Sequence, residues 1–442
     1  MTPEKLFHEL LGLGLNWRVQ ECEFKREKGV VLLVICETEH LWESERCPGS
    51  GGRVKCYDHV EEMVWRHLNV FEHQCEIRCL LPRGRCESSG KIYRVTPPWE
   101  GLSKHFTKAF EAMALLLLRE PERSGDRLPQ AARRVTKGHQ MPVAAVGRII
   151  GEHDTRLWRM LKAHVAAAYP QADWSEVSCV GCDEMSVRKG HHYVSVFCDL
   201  VGKRVLFAVP GKDKKVWEAF AQALEQHNGH PRAIAEVSID MSPAYIAGVK
   251  ENIGDQAAVV FDKFHVIAHV NDAVDDVRRQ EMRFGGWATR NDLKETRWIW
   301  LKNAENLSDK QKAKQQRLED KNLLTAKAYQ MRLTLQDIYQ IPHAGPAKKK
   351  LLAWCRWVRR VAKKHTSLMF NKMLGCAKMI EKHLPGILSH WKRQTTNAFL
   401  EALNSVFSAV KRKARGFRST DNLIAMLYFT AGKLKIPATH WK

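Results

Sequence analysis

The chain has no long hydrophobic run: its longest uninterrupted apolar stretches, such as 30–36 and 112–118, reach only seven residues. A helix needs about 20 apolar residues to cross a bilayer, so neither a membrane span nor a membrane partner is expected. The first residues, Met1-Thr-Pro-Glu-Lys5, lack the charged-then-apolar pattern of a signal peptide, and the reading is a cytoplasmic protein. Acid is scarce beside base: 49 Asp and Glu against 71 Lys and Arg leave a net charge of +22. The absence of internal repeats excludes a solenoid, and an apolar content of 44% excludes wholesale disorder. The 442 residues allow two to four domains at about 100–200 residues each.

What is present is charge and cysteine, both unevenly placed. An excess of base this large suits a polyanion, above all nucleic acid, and it clusters at 348–350, 359–364 and 411–415. No lipidation motif accompanies these runs. Seven of the twelve cysteines (22, 36, 47, 56, 75, 79 and 86) fall before residue 87. In a reducing compartment that crowding points to a metal knuckle or its remnant rather than to disulfides.

Residues 1–100 read as short strands and turns, β-like at 30–36 and 64–70, with glycine punctuation and a closing Pro97-Pro98. An apolar helical pattern over 106–120 precedes a polar, basic loop at 121–140. Next, 141–161 suggests two short helices broken at Gly151, with Asp154 placed to cap the second. That spacing suits a helix-turn-helix presenting Thr155, Arg156 and Arg159 to a major groove, or equally a plain helical hairpin in a small bundle. From Val177 the pattern is α/β: strands at 177–182, 193–198 and 204–209, a helix at 214–227, and a strand at 236–239. A helix opening on Ser242-Pro243, a strand at 258–261 and a helix at 264–279 follow. Residues 281–390 are helical and polar; 397–415 is a last long helix capped by Gly416, and an apolar segment at 423–429 closes the chain.

Asp183 and Asp240 each follow a predicted strand, where α/β sheets place their sites. On neighbouring strands two such carboxylates come within metal-bridging reach. In the last helix Asn397, Glu401, Asn404, Ser408, Lys411 and Arg415 share one face, and Glu401 is its only acid. Three acids holding two magnesium or manganese ions suit phosphodiester chemistry, with the basic turns of that helix beside a DNA backbone. Asp262, Asp272, Asp275 and Asp276 compete for the third position; Asp262 is the strongest rival because it too ends a strand.

The runs Asp183-Glu-Met-Ser-Val-Arg-Lys-Gly-His-His-Tyr-Val, Ser238-Ile-Asp-Met-Ser-Pro-Ala, Phe261-Asp-Lys-Phe-His-Val and Glu401-Ala-Leu-Asn-Ser-Val resemble the ISL-three family of DDE transposases from bacterial insertion sequences. The resemblance covers about 47–433. It implies a multidomain α+β protein with a zinc-ribbon-like β segment (1–100) and a helix-turn-helix domain (101–170). An RNase H-like α/β catalytic domain (171–280 and 391–442) would follow, interrupted by an all-helical insertion (281–390). It further implies a catalytic, metal-binding triad of Asp183, Asp240 and Glu401. In the Asp262-x-x-His265 signature, His265 would touch the scissile phosphate or order the site. A metal pair of His265 with His269 is disfavoured, since no Cys or further His completes it. Trp298 and Trp300 match the family's insertion and would pack in its core or stack on an unpaired base. The implied partner is double-stranded DNA, as inverted repeats and target, bound by a homodimer that brings two ends together. The family's two Cys-x-x-Cys-Gly knuckles read here Cys47-Pro-Gly-Ser50-Gly51 and Cys86-Glu-Ser-Ser89-Gly90. Cys47 and Cys86 alone cannot close a tetrahedral site, so zinc is not expected unless Cys56, Cys75, Cys79, His59, His67 or His73 completes one. The competing reading is a DNA-binding regulator or architectural protein built on a decayed transposase.

Overall fold

The computed structural model describes residues 1–119, 142–188, 192–261, 263–321, 323–364, 367–392 and 419–436. The chain divides into two compact units, Met1–Ala172 with Val406–Lys442, and Asp173–Ser405. Among the described residues no helix is long and apolar enough to cross a membrane.

The first unit rests on a sheet of β1 (Trp17–Lys25), β2 (Val30–Glu37), β3 (Val54–Val70), β4 (His73–Cys86) and β5 (Ile92–Arg94). Its order is β1-β2-β4-β3, with β5 on β4. The strands are longer than the sequence suggests, since β3 has 17 residues and β4 has 14. Three register shifts along β3 let a strand of mixed polarity stay paired with β4 for most of its length. The core holds Trp17, Leu33, Ile35, Trp65, Ile77 and Leu81, and Trp99 meets Trp17 and Trp65 edge-on at 5.0 and 5.9 Å.

Helix α1 (Pro3–Leu11) precedes this sheet in sequence, α2 (Glu39–Ser44) connects β2 to β3, and α3 (Lys108–Leu118), α4 (Val143–Ile150) and α5 (Asp154–Ala168) follow. The break between α4 and α5 falls at Gly151, whose φ of +73° suits glycine at a helix end. His153 rather than Asp154 caps α5, its Nδ1 accepting the Thr155 N–H at 3.3 Å. Asp154 stands inside the first turn instead, where its charge complements the helix dipole. Buried Arg66 ties the helical pair to β3: it donates to the Ile150 carbonyl at 3.0 Å and lies over the Phe110 ring. Gln74 on β4 donates to the Gly151 carbonyl at 3.0 Å. Glu111, buried in α3, accepts the Leu102 and Ser103 N–H groups and meets His164 of α5 at 3.0 Å. The apolar 423–429 segment lies in the helix Thr420–Ala431, which packs Tyr428 on Tyr169 at 4.5 Å.

The second unit holds β6 (Cys179–Arg188), β7 (His192–Asp199), β8 (Arg204–Pro210), β9 (Glu236–Ile239) and β10 (Ala258–Phe261) in the order β10-β9-β6-β7-β8. β7 is antiparallel to β6 and β8, whereas β9 is parallel to β6 and β10. Helices α6 (Lys215–Gln226), α7 (Pro243–Asn252) and α8 (Lys263–Phe284) alternate with the later strands. Phe197 stacks on Phe220 at 4.4 Å and meets Trp217 edge-on at 4.9 Å, which seats α6 on the sheet. A helical region follows: α9 (Trp287–Leu293), α10 (Arg297–Leu301), α11 (Asp309–Glu319), α12 (Leu324–Tyr339), α13 (Ala344–Lys364), α14 (Ser367–Lys382) and α15 (Leu384–Lys392). Buried Glu281 of α8 accepts the first N–H groups of α12, from Leu324 and Thr325, at 2.7 and 2.8 Å. The expected final helix at 397–415, with Glu401, Lys411 and Arg415, lies outside the described residues, as does the 121–140 loop.

Candidate active site

Asp183 does not end its strand as the sequence suggests; it lies inside β6, opposite Val196 of β7. β6 continues as the arm of a hairpin beyond the point where β9 stops. The last parallel pair joins Gly181 to Ser238, and two residues further along each chain stand Asp183 and Asp240. The register therefore sets the backbones of the two residues level with one another, at about the 5 Å spacing of neighbouring strands. Asp183 Oδ1 accepts the Glu184 N–H at 2.7 Å. Asp240 Oδ1 accepts the Ser242 N–H at 2.9 Å, a turn that leads into α7 with Pro243 at its first position.

Glu184 follows Asp183 on β6, near enough to feel the charges of both Asp183 and Asp240, and the sequence reading passed over it. Burial holds its carboxyl above the usual range, the charges of Asp240 and Asp183 add to the effect, and Lys212 and a Tyr245 hydrogen bond oppose it. Tyr245 also shares a 2.6 Å hydrogen bond with Ser195. The signal for Glu184 was its place in an acidic doublet beside Asp183. The carboxylate oxygens of Asp183 and Asp240 suit a hard divalent cation, magnesium or manganese, far better than zinc.

His265 of α8 is brought to this place, its Nε2 3.8 Å from Asp183 Oδ1. His269, one turn on, is exposed, and no third metal-ligating side chain joins it and His265 among the described residues. The rival acid Asp262 lies outside the described residues. Asp275 is buried between Arg278 at 2.7 Å and Arg297 at 3.6 Å, and Asp276 pairs with Arg279 and Lys372. Those two acids neutralise the helical region's own cations.

The basic and aromatic candidates separate clearly. Of the two roles open to Trp300 the structure has core packing, not DNA contact: it is fully buried against Tyr329 at 5.5 Å and has no face to offer a base. Trp298 is 57% exposed, with Arg297 5.2 Å from its ring. Thr155 and Arg159 are exposed on α5. Arg156 is committed within the protein, paired to both Glu152 oxygens at 2.8 and 2.9 Å and lying 4.6 Å over Phe106. Lys348, Lys349 and Lys350 are exposed on α13, whose other face buries Leu351, Trp354, Cys355 and Val358.

In the first unit the two altered knuckles keep the form of matching turns. Gly51 N–H donates to the Cys47 carbonyl at 2.8 Å and Gly90 N–H to the Cys86 carbonyl at 2.9 Å, with φ of +66° and +68° at the glycines. Cys47 and Cys86 are buried together with Val54. Ser50 and Ser88 hydroxyls each lie 3.2 Å from the Cys86 sulfur, and 3.1 Å from one another. Hydrogen bonds from Ser50, Ser88 and Ser89 pull the Cys86 thiol down to about 5. No group of three metal-ligating side chains includes either cysteine among the described residues.

A family model described as transposase, of the ISL3 type of DDE enzymes, matches residues 180–427. The transposase for insertion sequence element IS1001 of Bordetella parapertussis is 26% identical over 428 residues, spanning 95% of this chain and 96% of its own length. The transposase for insertion sequence element IS1557 of Mycobacterium tuberculosis is 25% identical over 478 aligned residues, spanning 100% of this chain and 98% of its own.

Proposed function

Because the chain belongs to the ISL3 family of insertion-sequence DDE transposases, we propose that it binds the inverted repeats of its element, cuts the ends and joins them to target DNA. The level placement of Asp183 and Asp240 on adjacent parallel strands carries this reading. A five-stranded sheet in which β7 alone runs against the rest, with helices alternating along the later strands, supports the α/β catalytic domain that the resemblance implies. Glu401 is assigned as the third acid; the ion pairs of Asp275 and Asp276 leave those residues poor alternatives. Two magnesium or manganese ions bound there would activate the attacking water or 3′-hydroxyl and stabilise the departing oxygen. The chain's own part is positional. The Glu184 N–H fixes Asp183 Oδ1 and the Ser242 N–H fixes Asp240 Oδ1, which holds each carboxylate in one orientation. His265 orders Asp183.

Sequence reading of the repeat falls to α5 through Thr155 and Arg159, with Arg156 as the anchor that holds the helix in place. Trp298 is the stacking candidate; the α13 lysines, with Lys411 and Arg415, supply backbone contacts that tolerate any sequence. A homodimer would bring two ends together in the bacterial cytoplasm. The altered knuckles are read as zinc-free, with the Ser50 hydroxyl sharing a hydrogen bond with the Cys86 sulfur where the family has a thiolate. Incubation with pre-cut repeat ends, a target plasmid and magnesium tests the whole proposal. Joined products support it; nicks without joining leave only a nuclease, and binding without either leaves the regulator built on a decayed transposase.

A further inference from the structure

We propose that Glu37, Cys56 and His59 form a binding site for a zinc-class divalent metal ion, separate from both the candidate active site and the altered knuckles. The ligand atoms of these three side chains all lie within 4.8 Å of one another, and this is the one such group of three among the described residues. The backbone brings them together by a device that the sequence does not reveal. Cys56 and His59 are three apart on β3, so in a regular strand they would point to opposite faces. Cys56 pairs with Gly84 and His59 with Pro82, two residues apart on β4, so the register shift at Tyr57 inserts one extra residue. That bulge returns both side chains to one face. The intervening Asp58 stands opposite Arg83, which forks onto its carboxylate. Glu37 arrives from the last residue of β2 and reaches His59 Nε2 at 2.6 Å.

A simple carboxylate–imidazole pair would need no third member. Here the Cys56 thiol, exposed and without a hydrogen bond among the described residues, completes a mixed sulfur, nitrogen and oxygen set. That set selects zinc and its neighbours over magnesium or calcium. Zinc bonds of about 2.0 Å to nitrogen or oxygen and about 2.3 Å to sulfur require donors roughly 3.3–3.7 Å apart. Glu37 and His59 must open by less than about 1 Å from their present pairing, a small movement for the ends of two partly exposed side chains. Water takes the fourth position. The ion would join β2 to β3 across β4, in the same sheet that carries Cys86 at the end of β4. None of this depends on the transposase chemistry proposed above.

Cobalt(II) titrated into the full-length, chelator-stripped protein tests the site. A thiolate-to-cobalt charge-transfer band reports only metal bound by sulfur, so cobalt at Asp183 and Asp240 contributes nothing to it. The band is expected in the wild type and in Cys47→Ser/Cys86→Ser, saturating at a single cobalt per chain and displaced by zinc. Cys56→Ser should abolish it, while His59→Ala and Glu37→Gln should each weaken binding more than about tenfold. A wild type without the band overturns the proposal, as does a band that survives Cys56→Ser and disappears in Cys47→Ser/Cys86→Ser.

Discussion

His67 predicts an acid sensitivity confined to the first unit. It sits on β3 opposite Cys75, its Nδ1 2.9 Å from the Thr107 hydroxyl. Burial, with the neighbouring Arg66 cation as the lesser cause, lowers its imidazole from the ordinary 6.5 to about 4. The unfolded chain therefore takes up this proton first as the pH falls. Stability is lost below 6.5, and the loss levels off below about 4. At about 1.4 kcal/mol per pH unit, acidifying from about pH 7 to about pH 4.5 removes about 2–3 kcal/mol through this residue. His67→Asn keeps a polar atom facing Thr107 and cannot take up the proton. Hydrogen exchange of the β3 and β4 amides, read by mass spectrometry at both pH values, measures the local unfolding free energy. The wild type should lose the stated amount more than the variant does. Equal losses in the two proteins would refute the reasoning.

The buried and exposed aromatic and basic side chains lead to further outcomes. Trp300→Ala should cost about 3–5 kcal/mol in urea unfolding of the second unit. Trp298→Ala should stay within about 0.5 kcal/mol in that measurement, while weakening binding to repeat ends with unpaired bases. Reversing the charges of Lys348, Lys349 and Lys350 should weaken repeat and random DNA alike and flatten the salt dependence of binding, by about 0.9 in slope for each phosphate that is no longer neutralised. Arg159→Ala should lower discrimination between repeat and random DNA in competition gel shifts without changing thermal stability. Arg156→Ala should instead lower the melting temperature, because it removes a paired guanidinium stacked on Phe106.

The parallel strands of the second unit were legible to the residue at 236–239 and 258–261, each a short stretch rich in β-branched residues and ended by an acid. β9 is fully buried and β10 partly so, and short strands bounded by turn residues leave little ambiguity. The length of β3 was hidden because its bulges break the two-residue alternation, and the same bulges hid the meeting of Cys56 with His59. Asp183 looked like a strand end because only the parallel half of β6 is continuously apolar. Trp298 and Trp300 looked alike in an alternating run. In a helix, residues two apart point roughly 200° from one another, so one is buried and the other faces out. The commitment of Arg156 rests partly on Phe106, far away in sequence, and no local pattern reports such a pairing.

The central claim is that Asp183 and Asp240, completed by Glu401, hold the metal ions that cut DNA. Cleavage of a labelled inverted repeat by Asp183→Ala, Asp240→Ala and Glu401→Ala, beside the wild type in magnesium and in calcium, tests it most directly. Each variant should bind the repeat with near wild-type affinity and fail to cut it, and calcium should support wild-type binding without cutting. Cutting by Asp183→Ala or Asp240→Ala would contradict the claim; cutting by Glu401→Ala with none by Asp262→Ala would move the third carboxylate to Asp262.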